Sequence, residues 1–359
     1  MRLLYLPNEL QDVVLKHLTQ KSIGQLCLMC KSSYQLYLPA LYHHVELGHR
    51  TQIKQLESGL ETNAFLKETT TKYTQILTLK CRQGGSSHLV SLFRQLPNIR
   101  QLHFRDFLAL SINKVRQLVF TLPRLTLLDF QYCELISSDN VITKNDSDDK
   151  RTMENKTHSS SSSNNKRRVT YHPHLQSLQL MWTDFSREAI RQLFHTAPNI
   201  TMILLGANHN RTPTANDAAL QLLKKYCHSI KHLSISLQQI KEASLCDLVR
   251  EYNTQLETLS IRCGDGDHTL TTISNYATNI KHLTIRRSHQ TDLNVIMVVL
   301  LQKCRRLTRL EMVSWPIQDV PTVVLDQIRR QPNRLEDVKK RTVSLGRQDL
   351  QEIRRICID

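Results

Sequence analysis

The sequence predicts an α/β fold built as a solenoid, and three observations carry that reading. An apolar triplet spaced L-x-x-L-x-L recurs along most of the 359 residues. Each copy is followed by a segment whose apolar residues return at helical spacing. One stretch near the start ignores the period and reads as three short helices. The predicted architecture is therefore an N-terminal three-helix unit followed by a solenoid, with parallel strands on the concave face and helices on the convex face.

The full triplets are Ile99-x-x-Leu102-x-Phe104, Leu125-x-x-Leu128-x-Phe130, Leu175-x-x-Leu178-x-Leu180, Ile200-x-x-Ile203-x-Leu205, Ile230-x-x-Leu233-x-Ile235, Leu256-x-x-Leu259-x-Ile261, Ile280-x-x-Leu283-x-Ile285 and Leu307-x-x-Leu310-x-Met312. A ninth, Leu335-x-x-Val338, lacks its last apolar residue. The steps between starts are 26, 50, 25, 30, 26, 24, 27 and 28 residues. One copy shows the unit. Ile99, Leu102 and Phe104 point inward from an extended segment, Ser111 caps a helix carrying Ile112, Val115, Leu118, Val119 and Leu122, and Pro123 ends it. Ser186, Asn216, Ser244 and Asp292 precede comparable apolar sets. Strand then helix at this period is a leucine-rich repeat, and Cys227-x-x-Ile230 and Cys304-x-x-Leu307 resemble its cysteine-containing class. Such a unit cannot bury its own apolar face and must stack on neighbours.

The solenoid is predicted over 73–359 and a linker over 48–72. Ile76-Leu77-x-Leu79 starts the stack. Val343-x-Leu345 with Leu350, Ile353 and Ile356 closes it, in a helix charged on its outer face by Arg347, Glu352, Arg354 and Arg355. The step of 50 residues holds an insertion, 137–168, with a five-serine run and almost no large apolar side chain. Its composition predicts a disordered loop, either a surface insertion without a role or a phosphorylated segment.

Composition narrows the function. There is no run of eighteen apolar residues, so no membrane span is expected. Asn8 and Glu9 interrupt the apolar stretch a signal peptide needs, which predicts an intracellular protein, cytoplasmic or nuclear. Lys166-Arg167-Arg168 is a candidate import signal. Nine cysteines are scattered along the chain, and the expectation is free, mostly buried thiols. Cys27-x-x-Cys30 lacks the four ligands of a structural zinc site. The net charge of +16 raises nucleic acid as a partner. But Arg286-Arg287, Arg305-Arg306, Arg329-Arg330 and Lys339-Lys340-Arg341 fall one group per repeat, which favours solvated helix ends. No phosphate loop is present, and Cys263-Gly-Asp-Gly-Asp-His268 sits in a loop without catalytic geometry. The sequence thus predicts a non-catalytic chain with no cofactor and no metal.

Residues 6–47 carry the remaining signal. Leu6-Pro7-Asn8-Glu9-Leu10 opens a helix continued by Val13, Val14 and Leu18. Ile23, Leu26, Cys27 and Cys30 form a second helix; Tyr34, Leu38, Leu41 and Tyr42 form a third. The strings L-P-x-E-L-x-x-x-V-L-x-x-L, L-C-x-M-C-K-S-S-Y and P-A-L-Y-H-H-V resemble an F-box, with tyrosine at positions 34 and 42 where that family often has tryptophan. An F-box over 1–47 followed by leucine-rich repeats resembles the substrate receptors of Skp–cullin–F-box ubiquitin ligases. The resemblance implies that Leu6, Pro7, Glu9, Leu10, Val14, Leu18, Leu26, Cys30 and Tyr34 meet a Skp-type adaptor, and through it a cullin. The repeats would then hold a protein for ubiquitination. The alternative is a leucine-rich-repeat interaction scaffold, with nucleic acid as one partner its charge allows, that assembles no ligase.

Alternation along each strand names the surface that would hold a partner. With the triplet inward, His103, Arg105, Gln179, Met181, His232, Ser260, Arg262, His282, Arg286 and Arg309 face the concave side. The middle, from Leu127 to Leu204, is apolar; the later part is basic and hydroxyl-rich. His232 and His282 share a column, but strands about 4.8 Å apart separate them by nearly 10 Å, too far for one zinc. Arg262 and Arg286, with Arg309 near, suit an acidic or phosphorylated segment.

Overall fold

The computed structural model describes residues 6–80, 87–137, 171–206, 213–262, 268–286, 294–330 and 341–358. The chain opens with α1 (Asn8–His17), α2 (Gln20–Cys27) and α3 (Lys31–His43). Glu9 lies in the first turn of α1, where the helix dipole favours an acid. Thr19 caps α2 by accepting the Ser22 amide at 3.2 Å, and the Cys30 thiol accepts the Ser33 amide at the start of α3 at 3.4 Å. These helices share a small core of Ile23, Leu26, Cys27 and Tyr37, separate from the main one.

The main sheet follows: β1 (His44–Leu47), β2 (Ile76–Lys80), β3 (Gln101–Arg105), β5 (Leu127–Gln131), β7 (Ser177–Met181), β9 (Met202–Gly206), β10 (His232–Ser236), β11 (Thr258–Arg262), β12 (His282–Arg286), β13 (Arg309–Val313) and β14 (Thr342–Leu345). These eleven strands pair in chain order. The pairing is parallel from β1 to β13, and β14 closes the sheet antiparallel to β13. The triplets set the register. Leu77, Leu102, Leu128, Leu178, Ile203, Leu233, Leu259, Leu283 and Leu310 stand side by side, strand to strand. All nine are 1% exposed or less.

Helices cover the outer side: α6 (Ser87–Arg94), α7 (Ile112–Thr121), α8 (Arg187–Thr196), α9 (Pro213–Tyr226), α10 (Glu242–Tyr252), α11 (His268–Tyr276), α12 (Asn294–Lys303), α13 (Thr322–Arg329) and, last, α14 (Arg347–Ile358). The result is a leucine-rich-repeat-like α/β solenoid with a mostly parallel sheet.

The stack starts earlier than expected. Residues 48–72, read as a linker, hold α4 (Arg50–Thr62) and α5 (Ala64–Tyr73), and β1 begins inside the segment assigned to the three-helix head. The reason is packing. Leu47, Ile53 and Leu60 are buried in the solenoid core, with Val45 and Leu56 against it. Of the expected helix caps, Ser186 accepts the Ala189 amide at 3.1 Å, while Ser111 makes no such bond. Asn216 and Ser244 lie inside their helices and tie repeats together instead. The Asn216 amide donates to the Gln238 carbonyl at 2.8 Å, and Gln221 donates to the Ser244 hydroxyl at 3.2 Å. Asp292, the triplet at Leu335, and all of the 137–168 insertion except Ser137 lie outside the described residues.

A second bond set runs along the edge where the strands end. The residue after the strand turns left-handed in four repeats: Asp106 (φ 59°), Tyr132 (55°), Trp182 (52°) and Ser314 (64°). The amides of the first three donate forward, to the carbonyls of Gln131, Met181 and Gly206. The next side chain donates backward. Cys133 reaches the Phe104 carbonyl at 3.4 Å, Thr183 that of Phe130 at 3.2 Å, and the Trp315 indole that of Ile285 at 3.1 Å. A thiol, a hydroxyl and an indole thus fill one role. Beyond them a small parallel sheet forms from β4 (Leu110–Ser111), β6 (Glu134–Ile136) and β8 (Asp184–Phe185).

Among the described residues Cys27, Cys133, Cys227, Cys246 and Cys304 are free and buried, and Cys30 is free and exposed. Burial pushes the thiols of Cys133 and Cys227 up to about 12 and that of Cys304 to about 11. No helix among the described residues is long and apolar enough to cross a membrane.

Two predictions follow from the inter-repeat bonds. Thr183→Val keeps the volume and removes the hydroxyl that reaches the buried Phe130 carbonyl. It is expected to cost about 1–3 kcal/mol in urea unfolding. His172 is buried with Nε2 at 2.9 Å from the Leu122 carbonyl, so that nitrogen carries the proton. Burial holds its pKa below the ordinary 6.5. The unfolded chain then takes up this proton first as pH falls through 6.5, and stability drops between that value and the lower folded one. Urea midpoints at pH 7 and pH 5 are expected to differ less in His172→Gln than in the wild type.

Candidate protein-interaction surface

Because side chains alternate, each strand of the parallel stack offers its first, third and fifth residues to the concave side, and the register aligns them in columns. One column runs Thr78, His103, Asp129, Gln179, Leu204, Ser234, Ser260, Thr284 and Glu311. The face divides into three parts by chemistry.

The first part is polar and internally paired. His103 Nδ1 lies 2.8 Å from the Asp129 carboxylate, which also accepts Gln131 Nε2 at 3.2 Å. Arg105 donates to the Gln131 side-chain oxygen. His44 Nε2 meets the Thr78 hydroxyl at 2.9 Å, and burial lowers the pKa of that imidazole. Asp129 is only 2% exposed. His103 and Arg105 are therefore held by their own neighbours, and they present a fixed polar floor.

The second part is apolar. Leu127, Met181 and Leu204 are half-buried, and Met202 is 39% exposed. Gln179 stands among them, in register with Asp129 and Leu204. Met181 lies across Gly206 so closely that a β-carbon there would overlap its sulfur. At the rim Tyr132 and Trp182, 55% and 38% exposed, stack with ring centroids 6.1 Å apart and planes at 8°. Both occupy the left-handed position, which costs a non-glycine residue roughly 1–2 kcal/mol. Alternation within the triplets did not reveal this shelf, since both residues lie just past the strand. The signal was two aromatics at equal offset, two residues after Phe130 and Leu180.

The third part is basic. Arg262 and Arg286 are in register on adjacent strands, exposed, and have no ion pair among the described residues. Ser260 and Thr284 share the neighbouring column. His232 and His282 flank Thr258 as the period required, and His232 Nδ1 lies 3.1 Å from the Thr258 hydroxyl. Arg309 does not join the arginine pair. It aligns with His282, and its guanidinium is taken by Glu311 at 2.8 Å. No group of three metal-ligating side chains occurs among the described residues. Residues 263–267 of the cysteine–histidine loop lie outside them.

The three-helix head has a different surface. Pro7, Glu9, Leu10, Cys30 and Tyr34 are exposed; Leu6, Val14 and Leu18 are half-buried. Leu26 is buried in the head core, so its side chain is used for folding rather than for contact. Val13, read from the sequence only as part of the first helix, and Leu28 and Met29, not singled out from the sequence, are all exposed, Leu28 at 85%. They sit on the outward side of α1 and just past α2, where the helical spacing alone assigns no core role. Hydrogen bonds from Ser33 hold the exposed Cys30 thiol below its ordinary pKa. Leu18 instead lines a cleft of about 560 Å³ with Leu15, Leu36, Pro39 and Ile76, between the head and the first repeats.

Fold and surface together define a leucine-rich-repeat-like solenoid with an open, chemically graded concave face. Among solved structures the chain is similar to the leucine-rich repeat-containing protein LegL7 from Legionella pneumophila, at 12% identity and a TM-score of 0.39 over 75% of this chain and 82% of that one. No family model matches the chain, and no curated protein matches it.

The Gly206–Met181 contact gives a local test of this face. In Gly206→Ala the obstruction is the flexible end of Met181, so the side chain swings away. The expected cost is about 1 kcal/mol or less, with a displaced Met181 methyl resonance in the NMR spectrum.

Proposed function

We propose that the chain is the substrate-recognition subunit of a Skp–cullin–F-box-type ubiquitin ligase, itself non-catalytic. The head docks on a Skp-type adaptor and through it on a cullin, while the concave face holds a protein for ubiquitination and degradation. The observation that carries this reading is the head itself. An F-box-like string folds into three helices with a core of only four buried side chains and leaves Leu10, Val13, Leu28, Met29 and Tyr34 exposed. A small unit with that much bare apolar surface suits a partner. The F-box assignment rests on the likeness of the residues and on this surface.

On the substrate side, the Tyr132–Trp182 shelf and the methionines beside it suit an apolar anchor, since aromatic side chains carry much of the energy at protein interfaces. The Arg262–Arg286 pair suits acidic or phosphorylated residues on the same substrate. Nucleic acid is the less favoured partner, because the cations are spread and the middle of the face is apolar.

Co-expression with a Skp-type adaptor tests the head. The wild type is expected to elute as a stable complex and Leu10→Asp/Tyr34→Asp as free chain with unchanged thermal unfolding of the solenoid. A wild type that elutes alone overturns the reading. For the concave face, proteins captured under proteasome inhibition are expected to fall at least tenfold in Tyr132→Ala/Trp182→Ala, with the adaptor complex retained.

A further inference from the structure

The strongest unassigned feature is a cavity of about 430 Å³ on the edge where the last strands begin, away from the concave columns. Lys281 and Thr308 line it just before β12 and β13, with Arg305 and Arg306 beside them. The opposite wall is one face of α14, where Arg347, Gln351 and Arg354 recur at helical spacing. Leu350 and Ile353, on the next face, are buried in the core, so this wall is held firmly. Among the described residues, five cations and no carboxylate line the space.

The sequence placed Arg354 on the outer face of a terminal cap. The structure turns it inward. Its Nε donates to the Leu301 carbonyl at 2.9 Å, and one terminal nitrogen donates to those of Cys304 and Leu307 at 2.9 and 3.1 Å. It closes the C-terminus of α12, a place the helix dipole makes favourable for a cation. Carbonyl dipoles satisfy its hydrogen bonds but not its charge, and burial works against the charged form. Lys281 has Glu257 at 2.6 Å. Arg305, Arg306, Arg347 and Arg354 have no carboxylate partner among the described residues. The acids of α14 are engaged elsewhere: Asp349 accepts the Gly346 amide, and Glu352 accepts Gln327 and pairs with Arg330 at 3.5 Å.

We propose that this cavity binds a small, multiply charged phosphate compound. In front of Arg354, whose donors are taken by backbone carbonyls, three guanidiniums without a carboxylate partner among the described residues converge on it from two elements, those of Arg305, Arg306 and Arg347. Each offers a planar fork that matches phosphate oxygens, and the volume admits a molecule with several phosphate groups. The bound anion would bridge the loop before β13 to α14 and so lock the end of the solenoid. The site is independent of the adaptor and substrate surfaces.

The test is titration calorimetry of the full chain with tripolyphosphate, at constant ionic strength in a buffer free of phosphate and sulfate. The wild type is expected to bind at one site with a Kd in the micromolar range and to melt at higher temperature when the anion is present. Arg306→Gln/Arg347→Gln, both exposed, is expected to weaken binding at least tenfold while melting as the wild type does without anion. Arg306→Lys/Arg347→Lys keeps the charge and is expected to recover part of the affinity, which a folding defect would not allow. Arg262→Gln/Arg286→Gln, on the concave face, is expected to bind as the wild type. No binding at millimolar tripolyphosphate, or equal affinity in the Arg306/Arg347 glutamine variant, overturns the proposal. So does equal affinity for a peptide bearing a single phosphoserine, since one phosphate cannot bridge the guanidiniums of both walls.

Discussion

Everything in this molecule depends on one constraint: each repeat leaves an apolar row and a row of backbone groups that only the next repeat can satisfy. The inward leucines and isoleucines stand in register through nine strands because a slip of one residue would turn each of them to solvent. Beside that apolar row, the backward bonds of Cys133, Thr183 and Trp315 fix the spacing between neighbours. An unmet carbonyl there would be buried without water, so a donor of some kind is required, and its identity is free. The far end is closed by geometry. β14 runs antiparallel, satisfies the edge of β13 and leads straight into α14, whose Arg354 seals the carbonyls of α12.

The same ladder that buries one set of side chains frees the other. Because the backbone is held by its neighbours, concave side chains need not contribute to folding and can differ from strand to strand. They do differ: a paired polar floor at His103–Asp129, apolar cover at Met181 and Met202, bare guanidiniums at Arg262 and Arg286. The left-handed turn after β3, β5, β7 and β13 belongs to the ladder, and in the first three its amide points forward to a carbonyl of the next repeat. Asp106 and Ser314 meet it with short polar side chains, which tolerate that region better. Tyr132 and Trp182 meet it with large aromatics left in solvent, which folding gives no reason to place there. The proposed contact surface rests on that contrast as well as on their stacking.

What could be read in the sequence follows from these demands. The triplets were legible because three inward positions per strand must be apolar and almost nothing else substitutes for them. β1 was not legible as solenoid because it supplies only Val45 and Leu47, and the head helix runs directly into it. Ile53, Leu56 and Leu60 did carry a helical period inside the supposed linker, masked by Lys54, Gln55 and Glu57 between them. The concave residues followed from alternation, but not their pairing. Sequence places Arg309 near Arg286, whereas register sets it four residues away along the strand, opposite His282, and Glu311 captures it. Asn216 and Ser244 look like caps because local sequence cannot tell a cap from a bridge between repeats.

The head and the solenoid solve opposite problems. The solenoid grows by addition, so its core lengthens with each unit and its stability does not rest on any single surface. The head has no neighbour of its own kind. Among the described residues its buried apolar core is Ile23, Leu26, Cys27 and Tyr37, with Leu15, Leu18, Ala40 and Leu41 partly buried against it, and even the Tyr37 hydroxyl finds no acceptor there. Its apolar residues are too many for so small a core: Leu10, Val13, Leu28 and Met29 remain outside it. Replacing them with polar residues would cost the head little internal packing, since none belongs to either core. Their apolar character is therefore not explained by the fold of this chain alone, and a protein surface that covers them is the simplest physical account of it.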